Sequence, residues 1–233
     1  MIELVGFDGD DTLWHSEGHF RRAAAEFDRI LGRYVDVRDA AVRTRLNAVQ
    51  RANLALLGYG AMSMTLSMVE TAIELSDGRI DARDIQRVVD LGKAILRHPV
   101  ELLPGIRDAV DAVAARHRII LVTKGDLLHQ ERKVAACGLA HLFQRIEIVS
   151  EKDETSYARV LGEFGIAPDA FVMVGNSMRS DVEPVVALGG WAIHMPYHVT
   201  WEHELEHGVP PRHPRVRRVQ AASGIADAVA RCG

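Results

Sequence analysis

Asp8-Gly9-Asp10-Asp11-Thr12-Leu13 is the stretch on which the reading of this chain turns. It follows Ile2-Glu3-Leu4-Val5-Gly6-Phe7, a short run with the apolar character of a buried strand. Three carboxylates at the mouth of a strand repel one another, and a divalent cation among them relieves the cost. A solvated acidic turn is the plainer reading of the same residues, and the rest of the chain has to decide between them.

Composition narrows the field. The chain has 233 residues, 48% hydrophobic and 26% charged, with a formal net charge of −4. This is an ordinary globular composition, sufficient for one large domain or for a core with an insertion. The mild acidity and the lack of a basic stripe argue against nucleic acid. Arg212 to Arg218 holds four arginines and a histidine among Pro and Val, and reads as a solvated connection. The two cysteines, Cys137 and Cys232, suggest no disulfide framework, so a cytoplasmic location is expected. No signal-peptide pattern opens the chain, and no apolar stretch approaches membrane-spanning length.

Secondary structure changes regime once. After the acidic turn, Ser16 is placed to cap a helix reaching about Leu31, with Phe20, Ala24, Phe27 and Leu31 along one face. Helical patterns follow at roughly 38–57, 62–76 and 81–97, and their methionines read as core filler. Pro99 and Pro104-Gly105 then interrupt the helices. Beyond them a helix at 105–116 leads to the β-like run Arg118 to Thr123, and from there strands and helices alternate. Helices are expected at 126–137, 154–164, 178–188 and 224–231, and strands at 146–149, 171–175, 191–194 and 216–219. This order implies an α/β, Rossmann-like parallel sheet with helices on both faces, plus an all-helical insertion. The expected division is residues 1–15 with 99–233 as the core and 16–98 as a helical cap, hinged near 14–17 and 98–103.

Sites in open parallel sheets lie beyond the carboxyl ends of the strands. Here those ends carry Asp8, then Thr123-Lys124-Gly125-Asp126, then Ser150-Glu151-Lys152-Asp153, then Gly175-Asn176 with Asp181 following. Carboxylates suit Mg²⁺, whereas hydroxyls, backbone N–H groups and lysines suit phosphate oxygens. Thr12, Thr123, Lys124 and Lys152 are the candidates for the latter task, although Lys124 and Asp126 would equally serve the start of the next helix.

The ordered set resembles the haloacid dehalogenase superfamily of aspartate-nucleophile phosphohydrolases. Its D-x-D-x-T motif is met by Asp8, Asp10 and Thr12, its strand-ending Ser or Thr by Thr123, its lysine by Lys152, and its acidic motif in part by Asn176 and Asp181. The resemblance implies that Asp8 attacks phosphorus and that Asp10 serves as general acid and base. It further implies that Thr123 and Lys152 bind the transferring group. Mg²⁺ would be held by Asp8, the backbone carbonyl of Asp10, and Asp181. Asn176 stands where the family usually carries an acid, and it retains the capacity to bond a metal-bound water. The helical insertion resembles a cap that closes over the site and selects substrate.

The expected activity is therefore Mg²⁺-dependent hydrolysis of a small phosphorylated metabolite, by a monomer or homodimer. The alternatives are a sugar-phosphate mutase, a 2-haloacid dehalogenase, or a binding protein that keeps only the fold. Carbon–halogen hydrolysis would leave Asp10 and Asp181 without a task, because halide departs unprotonated. His203-Glu204-Leu205-Glu206-His207 matches a zinc-protease string, with His194, His198 and His213 nearby. Gly208-Val209-Pro210-Pro211 would end its helix at once, so a polar loop is the expectation. Trp14, His15 and His19 stand where they could touch substrate or merely pack a hinge.

Overall fold

The computed structural model describes residues 1–198, 210 and 213–233. The chain divides into two compact units, Met1–Glu17 with Val100–Lys124 and Gln130–Gly233, and Gly18–Pro99 with Gly125–His129.

Among the described residues, the first unit is built on a six-stranded sheet. Its strands are β1 (Leu4–Phe7), β2 (Arg118–Lys124), β3 (Arg145–Val149), β4 (Phe171–Gly175), β5 (Trp191–His194) and β6 (Val216–Arg218). They lie in the order β3-β2-β1-β4-β5-β6, and every neighbouring pair is parallel. Phe7 stands level with Leu121 on one side and Val174 on the other.

Alternation along the strands explains why both faces are covered. Val5, Phe7, Ile119, Leu121, Val172 and Val174 share one core with residues of α5 (Ile106–Ala114), α6 (Leu127–Ala136) and α9 (Ile225–Ala230). Leu4, Ile120, Val122, Phe171 and Met173 point the other way, toward α7 (Glu154–Phe164) and α8 (Glu183–Ala187). A parallel sheet covered on two faces needs such continuous apolar strands, and each fully buried side chain contributes about 1.5–3 kcal/mol. Gly6 is required where the second core is tightest, since a Cβ there would lie 2.8 Å from Phe171 and 2.9 Å from Met173.

The helical unit comprises α1 (Glu17–Leu31), α2 (Ala40–Leu57), α3 (Ala61–Leu75) and α4 (Ala82–Arg97). Phe27, Ile30, Leu31, Leu46, Met68, Ala72 and Val88 form its main core. The buried face of α1 runs through Ala23, Phe27, Ile30 and Leu31, so Phe27 and Leu31 stand as expected. Ala23 replaces the expected Ala24, and Phe20 packs partly buried against Ala23, Ala61 and Ile95. Met68 is core filler as expected, whereas Met62 is exposed. Among the charged groups, Asp84 is buried and receives Arg33 at 2.5 Å, Tyr34 Oη at 2.6 Å and Arg87 at 3.0 Å.

Three expectations need correction. The start of α1 is not served by Ser16. Instead the Asp11 carboxylate accepts the backbone N–H groups of Ser16, at 2.8 Å, and Glu17, at 3.0 Å. Asp11 reaches them from a left-handed conformation, φ 62°, which an aspartate tolerates better than most residues. The helix expected over 178–188 opens instead with a π-helical turn, Met178–Val182, before α8. Val216–Arg218 forms β6 where a strand is expected, but the arginines around it are not merely solvated, because Arg215 and Arg217 stack on Trp191. Arg212 and the His203–His207 string lie outside the described residues. No described helix is long and apolar enough to cross a membrane.

Candidate active site

The strand ends converge as the sequence leads one to expect. β1 prolongs its ladder by one residue, the N–H of Asp8 donating to the carbonyl of Val174 at 2.9 Å. The sheet itself therefore sets the backbone from which the Asp8 carboxylate projects. Lys152, from the β3–α7 connection, lies 2.5 Å from Asp8 Oδ1 and 2.8 Å from Asp181 Oδ1. All three residues are buried.

Such burial has opposing effects on charge. Desolvation raises the Asp8 carboxyl to about 6; Lys152 opposes this, and Asp181 and Asp10 add to the rise. Burial also disfavours the Lys152 ammonium, but the carboxylates of Asp181 and Asp8 outweigh it and hold its pKa above the usual lysine value.

Asp181 is fixed by a tight loop. Its Oδ2 accepts the N–H of Ser177 at 3.0 Å, and its own N–H donates to the carbonyl of Ser177 at 2.9 Å. The Ser177 hydroxyl accepts from Ser180 N–H at 3.0 Å. The side chain of Asp181 then lies flat on Gly175, where a Cβ would sit 2.2 Å from Oδ2.

The amide of Asn176 stands among oxygens. One of its terminal atoms is 3.2 Å from Asp8 Oδ2, 3.2 Å from the Asp10 carbonyl and 3.3 Å from Thr12 Oγ1. As a nitrogen this atom donates to all three; as an oxygen it accepts from the Thr12 hydroxyl. The backbone carbonyl of Asn176 accepts from His194 Nε2 at 3.0 Å. His194 is thereby kept beside the site, while its buried Nδ1 has no partner.

Asp10 is held differently from Asp8. Trp14 Nε1 donates to Oδ1 at 2.5 Å, Lys133 Nζ to Oδ1 at 2.6 Å, and Gln130 Nε2 to Oδ2 at 3.1 Å. Burial pushes the carboxyl up, but the charge and hydrogen bond of Lys133, with those of Trp14 and Gln130, hold it below its usual value. Gln130 Nε2 also lies 2.9 Å from Thr123 Oγ1 and 2.7 Å from the carbonyl of Lys124. Trp14 is completely buried, and its ring packs so close to Gly9 that a Cβ there would be 2.7 Å away. It thus packs and also orients Asp10.

The remaining expected residues make contacts within their own units. Thr12 and Thr123 are buried. Lys124 Nζ donates to Glu151 at 3.2 Å and to Ser180 Oγ at 2.8 Å. Asp126 belongs with the helical unit and accepts from the N–H of Met62 at 3.1 Å. His15 Nδ1 shares a hydrogen bond with Tyr197 Oη at 2.6 Å. His19 stacks on His98, with ring centroids 3.6 Å apart.

Gln130 and Lys133 were not singled out from the sequence. Their signal is present there: they share a helical face with Val134 and Cys137, so polar groups stand at positions in phase with the core.

The donor set suits a hard divalent cation. Asp8 Oδ2 and the Asp10 carbonyl already face the same end of the Asn176 amide, which would turn its oxygen toward a cation. Among the described residues no three His, Cys, Asp or Glu side chains form a metal cluster by themselves; the set depends on a backbone carbonyl and an amide.

Comparison with known proteins identifies the family and the fold. A solved haloacid dehalogenase-like family hydrolase from Xanthomonas campestris is 54% identical, with TM-score 0.88, over 98% of this chain and 91% of its own. A protein of Rattus norvegicus named N-acylneuraminate-9-phosphatase is 25% identical, over 78% of this chain and 77% of its own. A 2-haloacid dehalogenase from Pseudomonas syringae, 21% identical with TM-score 0.63, shares the fold over the full length of both chains. The family model for haloacid dehalogenase-like hydrolases matches residues 2–189. The chain belongs to the haloacid dehalogenase-like hydrolases.

Proposed function

We propose that the protein hydrolyses phosphate monoesters of small metabolites through an aspartyl-phosphate on Asp8. One observation carries the choice among the chemistries of this family. A second carboxylate, Asp10, stands two residues beyond the first and is oriented by three side-chain donors. A departing halide takes no proton, so dehalogenation offers that carboxylate no work. An alkoxide leaving group requires a proton, and general acid catalysis supplies about 10²–10⁴-fold in such a step. The relatives named N-acylneuraminate-9-phosphatase support the same reaction class.

In the first half-reaction an oxygen of Asp8 bonds to phosphorus as the ester P–O bond breaks, and the leaving oxygen takes its proton from Asp10. Asp10 is ionised in the free protein under the hold of Lys133, Trp14 and Gln130, and takes up that proton when the anionic substrate binds. In the second, water bonds to phosphorus, its proton passes to Asp10, and the Asp8–phosphorus bond breaks to release phosphate. Lys152 offsets the charge of Asp8 and Asp181, and with Thr123 it provides donors for phosphoryl oxygens. Thr12 belongs to the same shell beside Asn176. Lys124, tied to Glu151 and Ser180, lies at its margin.

Mg²⁺ would be held by Asp8, the Asp10 carbonyl and Asn176, with Asp181 completing the charge around it. When bound, it screens the nucleophile from the anionic phosphate. The helical unit is assigned the role of a cap that selects substrate. Two buried free cysteines fit a reducing, cytoplasmic setting.

The test is phosphate release from a nitrophenyl ester and from a panel of phosphorylated sugars, nucleotides and acids, with and without Mg²⁺. Mg²⁺-dependent release accompanied by a trapped phosphoenzyme is the expected result. Halide release from 2-haloacids with no phosphatase activity would overturn the reading.

A further inference from the structure

The donors to Asp10 come from an unexpected quarter. α6 sends Gln130 and Lys133 from one of its faces, Lys133 joining Trp14 on Oδ1 and Gln130 holding Oδ2. Gln130 and Lys133 are both buried, at 1% and 8% exposure respectively. Burying an ion pair such as Lys133–Asp10 gives weak stabilisation at best, because desolvation of the two charges offsets their attraction and an apolar pair of similar volume serves the fold as well. Stability alone is therefore a poor reason for the arrangement.

Gln130 has a second attachment. The nitrogen that donates to Asp10 also lies within hydrogen-bond distance of Thr123 Oγ1 and of the Lys124 carbonyl. One amide thus links the residue assigned to proton transfer, the hydroxyl assigned to the phosphoryl group, and the end of β2. A carboxylate on a turn has two side-chain torsions free to wander; here donors on both oxygens fix them. A misplacement of about 1 Å at such a group can cost roughly a hundredfold in rate.

We propose that Lys133 and Gln130 are positioning residues, which hold the Asp10 carboxylate in register with Thr123 so that it meets the leaving oxygen and, later, the attacking water. The inference rests on the phosphatase reading given above. Neither residue touches the reacting atoms; Lys133 acts through Asp10, and Gln130 through Asp10 and Thr123.

Lys133→Met and Lys133→Arg are compared with wild type on a nitrophenyl and an alkyl phosphate, in the presence of Mg²⁺, by single-turnover and steady-state kinetics. In Lys133→Met, the loss of kcat on the alkyl ester should exceed the loss of phosphoryl transfer from the nitrophenyl ester by about tenfold or more. KM should change little, phosphoenzyme should accumulate, and Lys133→Arg, which retains a charged donor, should recover part of the loss. A residue with a purely structural role would depress both esters alike. Circular dichroism and thermal melting check the fold; should Lys133→Met fail to fold, Lys133→Gln makes the same comparison with a neutral polar side chain, because Gln130 also bonds Thr123 and its loss would touch both esters. Equal losses on the two esters, or none on either, in a folded variant would overturn the inference while leaving the phosphatase reading intact. Wild-type protein inactive on both esters would overturn the phosphatase reading and the inference together.

Discussion

Gly175 and Asp181 occupy each other's space: a Cβ on Gly175 would come within 2.2 Å of Asp181 Oδ2 and 2.3 Å of its Cγ. Gly175→Ala should therefore push the carboxylate off Lys152 and loosen the Ser177 loop. Overpacking of this kind costs about 1–3 kcal/mol. Chemical denaturation should show the loss, and Mg²⁺ titration of activity should show a weakened response. A variant with unchanged stability and an unchanged Mg²⁺ midpoint would contradict the geometry.

The two aspartates of the first turn should separate by chemistry. Asp8→Asn should abolish turnover of every ester, since no nucleophile remains. Asp10→Asn should spare phosphoryl transfer from a nitrophenyl ester, whose leaving group departs unaided. On an alkyl ester it should lose about 10²–10⁴-fold, with phosphoenzyme building up because the second half-reaction lacks its base. Rapid quench on both substrates measures this, and equal losses would sink the role given to Asp10.

Lys152 carries the charge balance of two buried carboxylates. Lys152→Met leaves Asp8 and Asp181 facing each other without a cation, and breaking a buried pair in this way costs about 3–5 kcal/mol. The Asp8 carboxyl, already raised to about 6 by burial, should rise further because its main opposing charge is gone. Added Mg²⁺ should restore part of the lost stability in a thermal melt. A variant as stable as wild type in chelator would refute the assignment of Lys152 as the balancing charge.

In the helical unit, Asp84 gathers Tyr34, Arg33 and Arg87. The Tyr34 hydrogen bond, together with Arg33 and Arg87, outweighs desolvation and holds its carboxyl below the ordinary 3.8. A depressed carboxyl contributes stability that is present above its unfolded pKa and lost as pH falls through the folded one. Acid should thus loosen this unit below pH 3.8, the ordinary value of the group. Asp84→Asn should be less stable at neutral pH and show a flatter acid dependence, which urea melts between neutral and acid pH would reveal.

The sheet was legible because its strands announce themselves as apolar runs closed by polar residues, and because alternation with helices dictates parallel order. Asp8, Thr123, Lys152, Asn176 and Asp181 were visible for the same reason: each stands where a strand or its connection ends. Asp11 was misleading, since a third acid in a row looks like a further ligand, whereas its carboxylate serves the start of α1. Linear spacing cannot say which of three neighbouring carboxylates turns toward a helix. Gln130 and Lys133 were missed because helical residues are read for their apolar phase, and a polar side chain in that phase passes for noise. The π-helical turn carrying Asp181 leaves no compositional trace, and neither does the close approach of that side chain to Gly175.

The amide of Asp8 closes the ladder of a central strand, hydrogen-bonded to Val174 with neighbours on both sides. Amides so placed exchange with solvent only when the middle of a sheet parts, an event close to global unfolding in free energy. The proposed nucleophile therefore shares the slowest-opening region of the molecule. Frayed helices or a locally melted terminus would leave it in place, and hydrogen exchange at Asp8 should track the disappearance of the folded state itself.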